Sequence, residues 1–161
     1  MPTGSVVFMT DWAQWRTWLR FCRSLAAQAA DAGEVPVGAA VVSAEGDLVA
    51  FAHNSQYSPP DITGHAEILA LRRAGAVLGH PTLEGHTLVV SLEPCTMCAG
   101  AAVLARVDRI VFGAWDVKAG ACGSLRDVPR DSRMNHRPQV IGGIDEDAAA
   151  AQLQSFFRAR R

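Results

Sequence analysis

Two short segments of the sequence carry residue types that bind metal ions and move protons. The first is His65-Ala66-Glu67, and the second, opened by Pro94, places Cys95 and Cys98 three residues apart. Two thiolates and one imidazole form a ligand set that zinc prefers, and a helix N-terminus favours the thiolate form. A structural zinc site uses four protein ligands, whereas three ligands leave one coordination position for water. The spacing therefore predicts a catalytic zinc ion held by His65, Cys95 and Cys98.

Glu67 follows the proposed imidazole ligand by two residues and is the candidate general base. Residues two apart do not share a face of a regular helix, so both side chains reach one site only where the helix begins. The other two cysteines have different interpretations. Cys22 falls on an apolar helical stripe and is predicted to lie in the core. Cys122 lies in a glycine-rich loop and is predicted to be a bystander; the alternative is a fourth ligand, which would favour a structural site.

Apolar periodicity and turn signals divide the chain into four helices and five strands. Helices are predicted over residues 11–32, 65–76, 95–105 and 145–160, and strands over 37–43, 48–53, 87–91, 109–112 and 139–141. The first two strands read as a hairpin and the later ones are joined through helices, which predicts an antiparallel start and a parallel finish. We therefore expect an α/β fold, a three-layer α-β-α sandwich with a mixed five-stranded sheet, in one domain over residues 1–161.

The composition of the 161 residues excludes several classes of protein. Apolar residues make up 49% and charged residues 19%, which excludes a largely disordered chain. No apolar stretch near the middle approaches the roughly 20 residues of a membrane span, and no signal-peptide pattern opens the sequence, so a cytoplasmic protein is expected. Its four cysteines then favour metal binding or catalysis over disulfides. The formal net charge of −1 leaves no uniformly basic surface for bulk nucleic-acid binding.

Besides the two metal-binding motifs, further short segments along nearly the whole chain carry a recognisable sequence pattern. They are Glu34-Val35-Pro36-Val37-Gly38-Ala39, Asn54, Leu92-Glu93-Pro94-Cys95, Cys98-Ala99-Gly100-Ala101, Val111-Phe112-Gly113-Ala114, Asp116, Lys118, Gly123-Ser124-Leu125, Asn135-His136-Arg137 and Phe156-Phe157-Arg158. Together with the metal motifs, they resemble the tRNA-specific adenosine deaminases, whose fold is cytidine deaminase-like. The metal motifs alone indicate only the zinc deaminase superfamily, and the later segments indicate the tRNA branch.

The resemblance implies hydrolytic deamination of adenosine to inosine at the wobble position of a tRNA anticodon, with one zinc ion per subunit. It assigns Glu67 the transfer of a proton from the zinc-activated water to the base and the departing ammonia. Asn54 is expected to hydrogen-bond the base or ribose; the alternative is a turn residue that ends a strand. Val37 is expected to form an apolar wall against the base, with an ordinary core residue as the alternative. Asp116, followed by Lys118 in the same loop, is expected to bond a ribose hydroxyl or an exocyclic amine.

Basic residues that suit RNA contact are concentrated in two places. In the C-terminal segment, Phe157 and Arg158 precede two more arginines, a pattern that suits phosphate contact and base stacking. An irregular segment holds Arg126, Arg130, Arg133, His136 and Arg137. The alternatives are a solvated loop for the arginines, and docking of the last helix for Phe156 and Phe157. The resemblance also implies the anticodon stem-loop as partner and a homodimer, with the alanine-rich helix 99–105 placed at its interface.

The chain departs from the family pattern just before the metal helix and beside Asp116. Ile62 and Gly64 replace a proline and an alanine, which we expect to loosen that loop. Trp115 is a large ring that is expected to stack on a nucleotide, to narrow the site or to pack in the core. Two other functions stay open: deamination of free cytosine, cytidine or guanine, and a zinc-stabilised RNA-binding module without catalysis.

Overall fold

The structure is a computed structural model that describes residues 8–161, with side chains from Trp12 onward. In this range the elements are helices α1 (Phe8–Asp31), α2 (Ala66–Leu78), α3 (Thr96–Leu104) and α4 (Glu146–Arg158), and strands β1 (Gly38–Val42), β2 (Leu48–His53), β3 (Thr87–Leu92), β4 (Arg109–Ala114) and β5 (Gln139–Ile141). The predicted elements are confirmed in type and order. Helix α1 begins at Phe8 rather than near residue 11, and residues 1–7 of the predicted domain lie outside the described residues.

The strands form one mixed sheet in the order β2-β1-β3-β4-β5. β1 pairs antiparallel with both neighbours, so that Ala39 lies opposite Ala52 of β2 and Val90 of β3. β3, β4 and β5 pair in parallel. The predicted antiparallel start and parallel finish are therefore confirmed. Because β2 and β3 are each antiparallel to β1, these two strands and β4 all run in the same direction.

Helices cover both faces of the sheet and complete the predicted three-layer sandwich. α1 and α4 pack on one face, and α2 and α3 pack on the other. Alternate residues of β1 serve the two layers, since Ala39 and Val41 join the core under α2 while Ala40 and Val42 join the core under α1. None of the described helices has both the length and the apolar character needed to cross a bilayer.

Close contact between α1 and the start of β1 depends on a glycine. A Cβ at Gly38 would lie 2.0 Å from the carbonyl oxygen of Cys22, so any larger residue would push the helix away from the strand. Ser91 of β3 also holds this part of the chain, since its Oγ accepts the backbone N–H of Gly38 at 3.1 Å. The amino end of β1, which carries Val37 just before it, is thereby fixed in the sheet.

The topology brings the carboxyl ends of three strands to one edge of the sheet. β2 leads through a loop to His65, β3 leads directly to Cys95, and β4 leads to Asp116. β1 runs the other way, so its beginning, next to Val37, lies at the same edge. Loops at the carboxyl ends of neighbouring strands are where open α/β sheets place their ligand sites.

Candidate active site and metal centre

Three potential metal ligands converge where α2 and α3 begin. Nδ1 of His65 lies 3.6 Å from Sγ of Cys95 and 3.5 Å from Sγ of Cys98. All three ligand atoms lie within 4.8 Å of one another. Bonds of about 2.3 Å to sulfur and about 2.0 Å to nitrogen place these atoms about 3.5 Å apart around a tetrahedral zinc ion. The two nitrogen–sulfur separations therefore match those around a zinc ion.

The helix starts explain how residues so distant in sequence meet. His65 is the N-cap of α2 and Cys95 is the N-cap of α3, both with extended backbone, and neither side chain caps its own helix. Their side chains are therefore available to an ion. Glu67 lies inside the first turn of α2 while His65 lies outside it, and both line the same cavity. The sequence predicted that His65 and Glu67 can reach one site only where a helix begins, and the structure places them at such a position.

The ligand cluster contains three residues within the described range 8–161. Cys122 is buried outside the cluster, and burial raises the pKa of its thiol. Cys22 is also buried, as predicted, and its thiol donates to the carbonyl oxygen of Val89. Cys122 is therefore not a fourth ligand. A tetrahedral ion held by three protein ligands keeps one position for solvent, which is the pattern of catalytic zinc.

Protons are shared unevenly within the cluster. The hydrogen bond with Cys98 is the main reason that the pKa of Cys95 is lowered, to about 4, and the bond with His65 lowers it further. The same Cys95–Cys98 bond, followed by burial, raises the pKa of Cys98. The bond with Cys95 also raises the pKa of His65. Cys95 thus favours the thiolate, and a metal ion must displace the protons held on Cys98 and His65.

A cavity of about 150 Å³ opens beside the cluster. Its walls come from the segments that meet at this edge of the sheet: Val35, Val37, Asn54, Gln56, His65, Glu67, Leu92, Glu93, Cys95, Asp116 and Ala119. Sites for drug-sized ligands usually occupy about 300–1,000 Å³, so this cavity has room for one ring system rather than a whole nucleotide.

Glu67 is the buried carboxyl group of the cavity. Its side chain is almost fully buried, and burial raises its pKa to about 7 despite the opposing effect of the nearby His65. A carboxyl group whose pKa lies near neutrality exchanges a proton readily at the pH of the cell. The position of Glu67 between the ligand His65 and the body of α2 is therefore suited to acid–base chemistry.

The other predicted cavity residues occupy distinct positions on the walls. Val37 and Asn54 are buried, and Oδ1 of Asn54 accepts the backbone N–H of Ala66 at 2.8 Å. The Asn54 amide group therefore remains available to donate a hydrogen bond. Asp116 also lines the cavity, and its Oδ1 accepts the backbone N–H of Lys118 at 3.0 Å.

Glu93 is a buried carboxylate that supports the site through hydrogen bonds to the backbone. Its buried carboxylate accepts the backbone N–H groups of Asp116 at 2.8 Å and of Cys122 and Ser124 at 3.0 Å, together with the Ser124 hydroxyl. Four hydrogen bonds offset the cost of burying this charge. Glu93 thereby ties the loop after β4, with Asp116, to the strand that carries the cysteines.

Comparison with known proteins agrees with this geometry. Residues 13–114 match the cytidine and deoxycytidylate deaminase zinc-binding region. A tRNA-specific adenosine deaminase of Bacillus subtilis (strain 168) is 44% identical over 136 residues, which cover 84% of each chain. The chain belongs to the tRNA-specific adenosine deaminase family. The family is zinc-binding, and the three ligands of this deaminase fit one zinc ion.

Two solved structures extend the comparison. One comes from a study of A-to-I editing by tRNA:A34 deaminases at the wobble position of transfer RNA; it is 36% identical, with a TM-score of 0.81 over 85% of this chain and 99% of that chain. The other is a guanine deaminase from Nitrosomonas europaea, 28% identical, with a TM-score of 0.69 over 97% and 95% of the two chains. The fold is thus similar in proteins described as acting on different substrates.

The deaminase carries a second group of predicted substrate residues outside the cavity. Lys118, Phe157 and Arg158 line one surface groove of about 610 Å³, together with Arg160 and Arg161. Arg160 also lies over the ring of Phe156, 3.5 Å from its centroid. The buried Phe156 docks α4, whereas Phe157 is half-exposed in the groove. The alternative interpretation, in which a phenylalanine docks the last helix, therefore holds for Phe156 and not for Phe157.

The predicted basic patch of residues 126–137 is only partly free. Arg130 pairs with Asp127 at 2.6 Å and Arg133 pairs with Asp131 at 2.8 Å. Nε2 of His136 lies 2.7 Å from the carbonyl oxygen of Val107. These three side chains are engaged by partners within the protein, and this limits the patch to Arg126 and Arg137, which are exposed.

Trp115 does not line the cavity. Its ring packs edge-on against Phe112, with centroids 4.8 Å apart, and closes over Gly123 and Gly143. This arrangement matches the packing interpretation, although the ring is 44% exposed.

Gly64 was expected to loosen the loop before α2, and the structure shows a different role for it. A Cβ at this position would lie 2.2 Å from the carbonyl oxygen of Ser55, so the glycine permits a tight closure of the loop.

Sequence reasoning missed several residues that shape the cavity. Val35 and Gln56 line it, and the buried carboxylate of Glu34 accepts the backbone N–H of Gln56 at 2.9 Å. Glu34 and Val35 lie within a segment that the resemblance already marked. Gln56 has no comparable signal, because only the return of the loop toward His65 places it at the cavity.

Proposed function

We propose that this deaminase converts adenosine to inosine at the wobble position of tRNA anticodons, with release of ammonia. The observation that carries the proposal is the three-ligand cluster that opens, beside a buried glutamate, onto a cavity for one base. Water replaces the amino group of the base, so adenosine and water yield inosine and ammonia. The names of the 44% identical relative and of the similar solved structure support this substrate.

The roles of the site residues follow from their positions. His65, Cys95 and Cys98 would hold zinc, which when bound supplies Lewis-acid activation of water at neutral pH. Glu67 carries both protons of the water in turn: the first goes to the ring nitrogen, and the second, taken from the oxygen now bonded to the ring carbon, goes to the amino group, which leaves as ammonia. Because this carboxyl group is buried beside the ligands, bulk solvent does not compete for the proton.

Substrate contacts are proposed for three further residues of the cavity. Val37 provides an apolar wall for the base. The amide group of Asn54, whose oxygen is already bonded to Ala66, donates to the base or ribose. Asp116 accepts a hydrogen bond from a ribose hydroxyl or an exocyclic amine, in an orientation supported by its bond to Lys118.

The surface groove beside α4 is proposed to hold the backbone of the anticodon stem-loop. Lys118, Arg158 and Arg161 supply cations, and Phe157 supplies an exposed ring, the combination that binds single-stranded segments. Bases in an anticodon loop are already partly unstacked, so placing one in the cavity costs less than extracting it from a duplex.

We further propose a homodimer and a cytoplasmic location. An open apolar groove between α2 and α3 is lined by Ile68, Leu71, Ala101 and Leu104, the last of which is 74% exposed. Apolar surface of this kind favours association with another protein surface. Sedimentation of the wild type and of Leu104→Glu tests the dimer, and a wild-type monomer would remove it. The location rests on the proposed tRNA substrate.

The decisive experiment is to sequence a tRNA pool before and after incubation with the zinc-loaded protein, reading inosine as guanosine. The expected result is conversion confined to the first anticodon position. Glu67→Gln, with the same zinc content, is the matched inactive control. Conversion at no site in tRNA would overturn the proposal.

Deamination of free guanine or cytidine is the second candidate. The size of the cavity and the similarity to a guanine deaminase favour it, because one free base would fill the space. The basic groove favours RNA instead. Ammonia release is measured in parallel with free bases, free nucleosides and an anticodon stem-loop as substrates. Turnover of the free compounds alone would favour this second candidate over the tRNA deaminase. A zinc-loaded protein that binds the stem-loop and never releases ammonia would support the non-catalytic module.

A further inference from the structure

A buried carboxylate outside the catalytic set organises one rim of the cavity. Glu34 is 3% exposed, and its two oxygens accept the backbone N–H groups of Gln56 and Tyr57, each at 2.9 Å. Burying a charge is costly unless it is hydrogen-bonded, and these partners belong to an exposed loop rather than to the core. The bonds therefore fix the conformation of residues 56 and 57 from beneath.

The loop that Glu34 holds is closed on itself and ends at the metal. Ser55 N–H donates to the carbonyl oxygen of Gly64 at 2.9 Å, and Asp61 N–H donates to that of Gln56 at 2.8 Å. His65 follows at once, and Gln56 lines the cavity. The loop of residues 55–64, called here the rim loop, is therefore held beside the cavity by backbone hydrogen bonds.

The rim loop presents two apolar side chains that the fold does not bury. Tyr57 is 68% exposed and Ile62 is 90% exposed. The cavity admits one base only, so the nucleotides next to the reacting one must lie outside it, across its rim. An exposed aromatic ring on a fixed backbone is suited to stacking on such a base. We propose that Tyr57 stacks on a nucleotide flanking the reacting adenosine and thereby sets substrate preference.

This inference rests on the proposed RNA substrate, so the test measures both. Anticodon stem-loops are prepared intact, with an abasic residue on the 5′ side of the reacting adenosine, and with one on the 3′ side. Tyr57→Ala is expected to raise KM for the intact RNA by about 5-fold to 150-fold with kcat little changed, the usual range for one stacked base. On the abasic RNA that lacks the stacked base, the wild type and the variant should become equal.

Matched variants separate stacking from general effects. Tyr57→Phe keeps the ring and should keep the wild-type KM. Val77→Ala trims another exposed apolar side chain, on α2 and outside the cavity, and should also leave KM unchanged. Glu34→Gln replaces an acceptor oxygen with a donor group and should raise KM, with little further effect once Tyr57 is alanine, because both changes remove the same interaction.

Tyr57 is the one tyrosine of the sequence, which provides a direct readout. Protein labelled with 3-fluorotyrosine should show one ¹⁹F resonance that shifts on saturation with the stem-loop and not on saturation with the RNA that lacks the stacked base. A wild type that deaminates the RNA, with equal KM for Tyr57→Ala and an unmoved resonance, overturns the stacking alone. A wild type that neither binds nor deaminates the RNA overturns the proposed function and the stacking with it.

Discussion

Oδ1 of Asn54 accepts the backbone N–H of Ala66 at 2.8 Å, so one side chain joins the end of β2 to the first turn of α2. Ala66 lies between His65 and Glu67, and the bond therefore sets the position of the helix that carries both. The same side chain lines the cavity. Its oxygen supports the fold, and its amide group is the one proposed to donate to the substrate.

Substitutions of Asn54 should separate these two tasks. Asn54→Ala leaves a buried N–H unpaired and should lower the free energy of unfolding by about 1–3 kcal/mol as well as activity. Asn54→Asp keeps an acceptor for Ala66 and loses the amide donor, so activity should fall with a smaller loss of stability. Chemical denaturation and steady-state kinetics of the zinc-loaded proteins measure the two effects. Equal destabilisation by both substitutions would contradict the assignment.

Glu67→Gln should abolish turnover without unfolding the protein or releasing zinc. A general acid–base residue contributes about 10²–10⁴-fold to the rate, and the amide cannot transfer the proton. Single-turnover inosine formation and zinc content by atomic emission are the measurements. Glu84→Gln removes an exposed carboxylate and is the control. A Glu67→Gln protein with near wild-type turnover would exclude this residue as the proton carrier.

Gly64→Ala is expected to destabilise the protein. The new Cβ would lie 2.2 Å from the carbonyl oxygen of Ser55, and overpacking of this kind costs about 1–3 kcal/mol. Gly100→Ala is the matched control within helix α3. Its Cβ would meet nothing within 4 Å, so a gain of about 0.5–1 kcal/mol is expected. Thermal unfolding compares the two; a stabilised Gly64→Ala would show that the loop relaxes freely.

Binding of the stem-loop should weaken steeply with salt, because cations in the groove release counterions from phosphate. Lys118→Ala, Arg158→Ala and Arg161→Ala should each reduce the slope of log K against log salt by up to about 1. Arg133→Ala is the control, since its guanidinium is paired with Asp131. Fluorescence anisotropy at several salt concentrations gives the slopes. A slope that none of the three groove variants changes would place the RNA elsewhere.

Zinc binding to the metal-free protein should release protons. The ligands bind as thiolates and neutral imidazole, while the raised pKa values of Cys98 and His65 keep protons on them. Because protons compete with the ion, zinc affinity should rise with pH. Calorimetric titration in buffers of different ionisation enthalpy counts the protons. Zinc affinity that is independent of pH between 6 and 8 (roughly the range in which imidazole titrates) would contradict this prediction.

The order of the elements and the identity of the metal ligands could be predicted because both depend on local patterns. Periodicity marked the helices and strands, and two short motifs of soft ligands marked the cluster. His65 and Glu67 satisfied a condition stated from helix geometry alone, since one lies outside the first turn and the other inside it.

The walls of the cavity could be predicted only in part, because they depend on how loops return. Gln56 reaches the site through backbone hydrogen bonds to Glu34, which no spacing rule anticipates. Lys118 follows Asp116 by two residues and yet belongs to the groove beside α4 rather than to the cavity. His136 reads as part of a basic patch, and its ring is engaged by the carbonyl group of Val107 instead.

The ligands come from two helices that are separated in the chain by strand β3: the imidazole precedes the first turn of α2, and the sulfurs belong to the start of α3. An ion held there acts as a cross-link between the hairpin half of the sheet and the crossover half. Metal supply should therefore govern how long the folded chain survives heat or proteolysis as well as how fast it turns over, and metal starvation would lower the abundance of the enzyme along with its activity.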